Sequence, residues 1–549
     1  MDTTTTMAPI IGIDLGSEFS AIAKLNDNRM AEIIPVDGER IMASCVYAPR
    51  ANEESLKVGA EARNMLGHEP ESVVKRFKRD IGTDKVYPLR QGLELTPVSA
   101  SAAILRKLTQ EASRVLGPIH EVVITVPANF AERQRKATIE AGEQAGLKVT
   151  NIINEPTAAI LAYASQKSIT GTVMIYDLGR CSFDVTIAKV KGAEIECLTS
   201  EGDSELGGMD FDQKIAEIID QKHAEQYGRT LREALNLNGE ADELKSIAWQ
   251  SFLCNAEMCK ETLSKMTTAP FSFFQSPDGP LKTEITRQEF ERAISSLIAR
   301  TEMRVETALD KLNLRPEDLD EVLLVGGSSR VPAVKSLLKL IFGREPSERV
   351  NLDEAVALGA AIYAGLRADQ RNLKPMQRKR LAEVSVTNMS NHYYGMLPAQ
   401  HGDEDDPEDM RVSIIIPKNT HLPCSRTERI YTRFKNQRFV RLRVTQSASE
   451  ETDPDFVNLI ADIKLGPLPP DRSQGQPIEI TYSYDIDQTM RCKFLDVNSG
   501  LKEEIDLHPD EKCSSTTSVP DFRIEGCEIT NDTLVEPRRQ IFVPNFEIR

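Results

Sequence analysis

The chain has 549 residues, 40% apolar and 28% charged, with a net charge of −17, which suits about three or four compact units of a soluble globular protein. The acid excess excludes a dominant nucleic-acid function, which needs a basic surface to neutralise phosphates, and no run of about 18 apolar residues is present to span a membrane. Nine scattered cysteines without a Cys-x-x-Cys pair fit neither a disulfide framework nor a zinc site, and with no secretory pattern at the N-terminus the cytoplasm is the expected compartment.

From residue 10 to about 367, strand and helix patterns alternate, which predicts α/β architecture. Residues 11–25, IGIDLGSEFSAIAKL, read as a strand, an Asp-Leu-Gly turn and a second strand. Val122–Val126 predicts a strand and Glu132–Ala145 a helix. Residues 174–190, MIYDLGRCSFDVTIAKV, repeat the opening pattern. The repeat reads either as a recurring hairpin or as a duplicated lobe. In the second case each copy offers an aspartate and a turn of backbone amides to one shared ligand. Two more glycine turns follow: Leu206-Gly207-Gly208 before Asp210-Phe211-Asp212, and Gly326-Gly327-Ser328-Ser329-Arg330 after the apolar run Glu321–Val325.

Residues 369–380, DQRNLKPMQRKR, are polar and basic and read as a linker. Beyond them the period becomes two. Val440, Leu442 and Val444 alternate with Arg441, Arg443 and Thr445, and Ile478, Ile480, Tyr482 and Tyr484 alternate with polar residues. Such alternation predicts half-buried antiparallel strands. Turns are expected at Lys435-Asn436-Gln437 and Asn498-Ser499-Gly500. The acidic stretch 402–409 reads as a solvated loop.

Polyphosphate binding needs backbone N–H groups that approach closely, which glycine permits, and a divalent cation that prefers carboxylate oxygens and water. Asp14 with Gly16 and Ser17, and Asp177 with Gly179 through Ser182, supply both elements twice. No Gly-x-x-x-x-Gly-Lys-Ser/Thr loop, Gly-x-Gly-x-x-Gly turn after a strand, His-Glu-x-x-His or Gly-x-Ser-x-Gly motif occurs, and the seven histidines form no triad.

IGIDLGSEFSAIA, residues 122–164, YDLGRCSFDVTI, LGGMDFD, LLVGGSSRVPAVKSLL and NLDEAVALGAAIYAG resemble, in place and order, segments of the seventy-kilodalton heat-shock (DnaK-type) chaperone family. The resemblance implies an α/β two-lobed, actin-like ATPase domain with duplicated ribonuclease-H-like lobes over 8–368. A basic linker at 369–383 and a small antiparallel β-sandwich at 384–508 would follow, with 509–549 unassigned. ATP or ADP and Mg²⁺ are the implied cofactors. Ser17, Glu18 and Phe19 would present amides to phosphate, and Asp14 and Asp177 would hold waters around magnesium. Lys78 matches the family's catalytic lysine, which positions the attacking water, although it also reads as one member of a solvated basic run. Glu155 and Pro156 match the coupling positions. Catalytic roles thus fall to Lys78, Glu155, Asp177 and Ser182. Nucleotide contacts fall to Asp14, Gly16–Phe19, Gly179, Arg180, Cys181, Gly207, Gly208, Glu257, Lys260, Ser264, Gly326, Gly327, Ser328, Arg330 and Asp353. Glu257, Lys260 and Ser264 share one helical face, which in the family clasps adenosine, and Arg330 stacks on the base from the other side.

This chain departs from the family at three places. Two glycines of the second phosphate loop have become Arg180 and Cys181, so any positive φ there carries a steric cost of ~1–2 kcal/mol. Arg180 would either supply charge to a phosphate or crowd one, and Glu18 would point away from it. The linker lacks a leucine run. No lid-like helix pattern follows the sandwich, whose segments 416–423 and 496–500 resemble the family's peptide-binding domain, so peptide is expected to exchange quickly. Phe434, Phe439 and Val440 read as core or groove, with core expected. Arg429, Arg433, Arg438, Arg441 and Arg443 read as a basic strand face, solvated unless an acidic client meets it.

The function expected is an ATP-dependent chaperone that binds unfolded, extended apolar polypeptide. J-domain and nucleotide-exchange partners and a monomeric state are expected, without nucleic acid or membrane partners. The alternatives are a nucleotide-locked binding module or exchange-factor-like partner with little turnover, and a small-molecule kinase of the same superfamily.

Overall fold

In the computed structural model, two mixed sheets share one internal order. In the first, β1 (Ile11–Asp14) and β2 (Phe19–Leu25) form an antiparallel hairpin, with β3 (Ala31–Ile34) antiparallel beyond β2. On the other side β4 (Glu121–Val126) and β5 (Lys148–Asn154) run parallel to β1. In the second, β6 (Thr170–Leu178) and β7 (Phe183–Lys191) are the hairpin, with β8 (Glu194–Asp203) antiparallel beyond β7 and β9 (Glu321–Val325) parallel to β6. The repeated sequence is therefore the central hairpin of each sheet. The residues described are 9–507 apart from 28–30, 50–54, 90–92, 167–169, 240–241, 243–245, 348–350, 399–410 and 487–488, together with 523–524. The acidic stretch 402–409 and nearly all of 509–549 lie outside them.

Six of the described helices frame the site. Helix α1 (Pro97–Leu116) starts at Thr96, whose hydroxyl accepts from the Ser99 N–H, a capping bond worth about 1 kcal/mol. Helix α2 (Glu132–Gln144) links β4 to β5, and α3 (Glu155–Gln166) follows β5 directly. Helices α4 (Gly208–Tyr227) and α5 (Ile247–Lys265) flank the second sheet, and α6 (Ala355–Arg367) packs on the first. Small residues let α3 and α6 cross almost backbone to backbone. A Cβ on Gly359 would fall 1.7 Å from the Ala158 carbonyl oxygen, and one on Gly12 would fall 2.1 Å from the Ala361 nitrogen.

The stretch expected as a polar linker is ordered. Gln370–Asn372 make a 3-10 turn, and α7 (Pro375–Leu381) follows. Leu373, Gln377 and Leu381, spaced i, i+4 and i+8, are buried while most of the basic side chains between them are exposed. Gln377 and Leu381 lie on one face of α7, Leu373 is buried in extended backbone just before it, and the basic residues between conceal this from a composition reading. The chain then enters β10 (Ser385–Thr387), which runs parallel to Glu194–Glu196 at the edge of the second sheet. These residues, expected to open the sandwich, extend the mixed sheet instead.

The sandwich has antiparallel sheets of order β12-β11-β14-β15 and β13-β16-β17-β18. The strands are β11 (Tyr393–Pro398), β12 (Ser413–Ile416), β13 (Cys424–Tyr431), β14 (Val440–Ser447), β15 (Asn458–Leu465), β16 (Pro477–Tyr484), β17 (Met490–Asp496) and β18 (Lys502–Asp506). Ile478, Ile480, Tyr482 and Tyr484 point inwards, as the alternation predicts. Asn436 and Gly500 take left-handed φ of 62° and 73° in the expected turns.

Two expectations change here. Phe434 and Phe439 are 38% and 42% exposed, while Val440 is buried; the Phe439 ring instead receives the Lys464 ammonium at 4.1 Å. The arginines do not share one face, because β13 and β14 lie in different sheets. Arg429 pairs with Glu479, and Arg441 with Asp462 at 2.6 Å. Among the described residues no helix is long and apolar enough to cross a membrane.

Candidate functional site

Strand β1 is apolar up to its last residue, Asp14, and β6 runs through the buried Val173–Tyr176 to Asp177, so both carry an aspartate inwards before the chain turns. Each turn depends on glycine. A Cβ on Gly16 would sit 2.0 Å from the Phe19 carbonyl oxygen. Gly326, at φ +78°, would bring one within 2.4 Å of the Leu178 carbonyl oxygen. The two hairpins, the Gly326 turn, α5 and α6 enclose a cavity of about 390 Å³. A larger one of about 1170 Å³, near Arg40, Ser165 and Val384, touches none of the glycine turns.

The 390 Å³ cavity is lined by Asp14, Gly16–Phe19, Lys78, Glu155, Asp177, Gly179, Arg180, Ser182, Glu257, Lys260, Ser264, Gly326–Ser328, Arg330 and Asp353. Cys181, Gly207 and Gly208 lie outside that lining. Gly208 N–H donates to the Gly179 carbonyl and Met209 N–H to the Arg180 carbonyl, so the start of α4 supports the second turn from behind. Burial keeps the Cys181 thiol protonated, with its pKa above the ordinary value. Sequence reading missed Ile41, Leu352 and Val356 on the lining. It also missed Asp184, which lies across from Asp177 in register where Ala21 lies across from Asp14. Aligning the two repeats would have exposed that extra acid.

Charge in the interior is unbalanced. Burial and then Glu155 push Asp14 up to about 7, although Asp14 also accepts from the Thr125 hydroxyl at 3.0 Å. Burial, Glu155 and Asp14 push Asp177 well above its ordinary value, and burial with Asp177 does the same to Asp184. Lys78 opposes all three shifts. Its ammonium donates to Glu155 at 2.6 Å and it is 4% exposed. Arg76, left-handed at φ 63°, turns the chain into the 3-10 segment Phe77–Asp80, and Phe77 anchors that segment in the core. Lys78 is thus turned inwards, unlike its partly exposed neighbours Lys75, Arg76 and Arg79.

Four acids around one lysine, Asp177 and Asp184 buried and Asp14 and Glu155 half-buried, suit a divalent cation. Among the described residues no three His, Cys, Asp or Glu side chains converge as a metal-binding set. A magnesium ion here would therefore rest on Asp14, Asp177 and retained water, the ligand pattern it favours.

The second turn behaves differently from the sequence expectation. Neither Arg180 nor Cys181 has a positive φ, so replacing glycine there adds no left-handed strain. The Arg180 side chain is 9% exposed and meets Glu18 at 2.9 Å, Glu257 at 2.5 Å and Asp212 at 3.0 Å. Burial disfavours its charge, but Asp212, Glu18 and Glu257 outweigh burial and raise its pKa. Lys260 meets Asp212 at 2.6 Å and donates to the Gly208 carbonyl. Arg330 holds Asp353 through two bonds, at 3.0 and 2.9 Å. Asp212, which ties the network together, lies within the LGGMDFD segment, yet nothing local marks its partner.

A family model described as Hsp70 protein matches residues 10–521. The chaperone protein DnaK of Thermotoga neapolitana is 36% identical over 506 residues, covering 90% of this chain and 80% of the relative. DnaK of Thermosipho melanesiensis is 34% identical, over 90% and 79% of the two chains. The chaperone protein dnaK3 of Synechococcus elongatus is 32% identical, over 91% and 66%.

Proposed function

The chain belongs to the Hsp70 family, and from that premise we propose that its twin sheets are the lobes of an actin-like ATPase domain whose cleft is the cavity of about 390 Å³. It is an ATP-dependent chaperone. The sandwich, beginning after Thr387, grips an extended apolar polypeptide by strand addition, and J-domain and exchange partners act on the cycle. The observation that carries the reading is the pair Asp14 and Asp177, one at the end of each repeated hairpin, facing one cavity beside the buried Lys78–Glu155 pair.

The roles follow from position. The two glycine turns present backbone amides to the phosphates. Asp14 and Asp177 would hold a divalent cation through water. Lys78, fixed by Glu155, orients the attacking water and adds positive charge where negative charge develops, the main protein contribution to phosphoryl transfer. Magnesium, when bound, supplies the remaining charge neutralisation. Glu257, Lys260 and Ser264 hold the nucleoside on one helical face, with Arg330 and Asp353 opposite.

The test is single-turnover ATP hydrolysis by the full chain, with and without an unfolded apolar peptide, beside Lys78→Ala. Turnover should rise with peptide and fall by about a hundredfold or more in the variant. ATP bound tightly by the wild-type chain without turnover would overturn this reading.

A further inference from the structure

Arg180 stands on the second glycine turn, yet its guanidinium faces three carboxylates. Asp212 on α4 and Glu257 on α5 belong to the same half of the cleft as Arg180 itself. Glu18 does not: it sits on the β1–β2 turn of the first sheet, and it meets Arg180 at 2.9 Å. The side chains of all four residues are at most 15% exposed. One buried ion pair therefore spans the two turns that line the cavity. Arg79 and Asp210 also approach across the cleft, but at 4.0 Å and with more exposure.

We propose that Arg180 is a positioning residue that ties the two halves together across the nucleotide cleft, supplying from the protein part of the bridge that a nucleotide otherwise makes. This rests on the reading of the cavity as the nucleotide site. Two physical arguments support it. Arg180 is hydrogen-bonded to Glu257 in its own half and ion-paired to Glu18 in the other, so it holds the turns in register before any ligand arrives. Without its charge, Glu18, Asp212 and Glu257 would oppose one another with Lys260 beside Asp212 and the more exposed Arg63 at 4.0 Å from Glu18 as their close cations, and buried like charges push apart. The tie should therefore lower the dependence of cleft closure on nucleotide and slow nucleotide release.

The experiment compares wild type, Glu18→Ala, Arg180→Gly, the double variant and Arg180→Lys as full chains. Small-angle scattering is recorded without nucleotide and with Mg²⁺ and ADP, and release of a fluorescent N-methylanthraniloyl-ADP is timed. The wild type should give nearly the same scattering profile in both states. Glu18→Ala and Arg180→Gly should expand without nucleotide and contract when ADP is added, a response that a misfolded chain would not give. Release should quicken about tenfold in each, with the double variant no faster than the faster single, because both remove one contact. Arg180→Lys, which keeps a charge beside Glu18, should recover part of the slow release. A nucleotide-free wild type that expands as the variants do, or single effects that multiply in the double, would overturn the tie. If no chain binds the ADP probe, the nucleotide reading fails, and the nucleotide-free scattering still decides whether Arg180 joins the halves.

Discussion

Gly326 occupies a backbone conformation that a side chain cannot share. Its φ of +78° already costs an L-residue about 1–2 kcal/mol. A Cβ would also press on the Leu178 carbonyl at 2.4 Å and on the Asp177 carboxylate at 2.7 Å. Gly326→Ala must therefore displace one of the two aspartates in the cleft. Calorimetric titration with Mg²⁺ and ADP should show affinity falling at least ~tenfold, with a lower melting temperature; unchanged affinity would mean that Asp177 does not need this position. Such glycines were legible in the sequence, because a glycine after an apolar strand announces its turn. The partners of Arg180 were not. Residues 18, 180, 212 and 257 are far apart in the chain, and an arginine in a phosphate loop invites a phosphate partner until the carboxylates around it are known.

Helix α2 was equally legible: the stretch 132–145 reads as a helix, and the structure has Glu132–Gln144. Its surroundings were not. An acid in the first turn ordinarily gains from the helix dipole, but Glu132 is 6% exposed beneath the sandwich, and its N–H donates to Gln446 on β14. One of its carboxylate oxygens has no hydrogen-bond partner. Burial pushes Glu132 up to about 7, against the pull of Arg135 and Lys136. A folded-state pKa raised above the unfolded value contributes stability that is complete below about 4.5 and lost as pH rises through about 7. Glu132→Gln removes that loss. Denaturant unfolding should find the variant and wild type similar near pH 5 and the variant more stable at pH 8, by an amount on the order of 2–3 kcal/mol. A difference that does not change with pH would rule out titration of Glu132 as its source. Helix α7 carries the same lesson about elements. Its buried residues Gln377 and Leu381, with Leu373 just before it, are hidden in a basic run that by composition reads as a linker.

For the whole molecule, the change of period near residue 384 reveals a second unit but says nothing about where it rests, because docking depends on side chains that are surface-like in either part alone. The structure seats the sandwich against α2 of the first half and on the second mixed sheet. β10 extends that sheet beside β8, and two further residues of β8 take side chains from the β12–β13 turn: Thr199 receives Asn419 at 3.2 Å, and Glu201 receives Lys418 at 2.9 Å. Lys418 and Glu201 are each 8% exposed, and Lys311 also meets Glu201 at 2.7 Å. Removing Lys418 therefore leaves Glu201 with a cation, so the sheet itself should stay folded. Lys418→Ala should weaken docking alone, by roughly 1–2 kcal/mol of coupling between the halves. Two readouts follow from that size. Proteolysis between residues 368 and 393 should quicken about five- to tenfold as β10 leaves its edge, and ATP should accelerate release of a fluorescein-labelled apolar peptide less than it does in the wild type. Protection and ATP-driven release both equal to the wild type would mean that the seat is held by β10 and the remaining contacts, such as those of Glu132 with Gln446 and Asn419 with Thr199, with the buried Lys418–Glu201 pair contributing packing but no coupling.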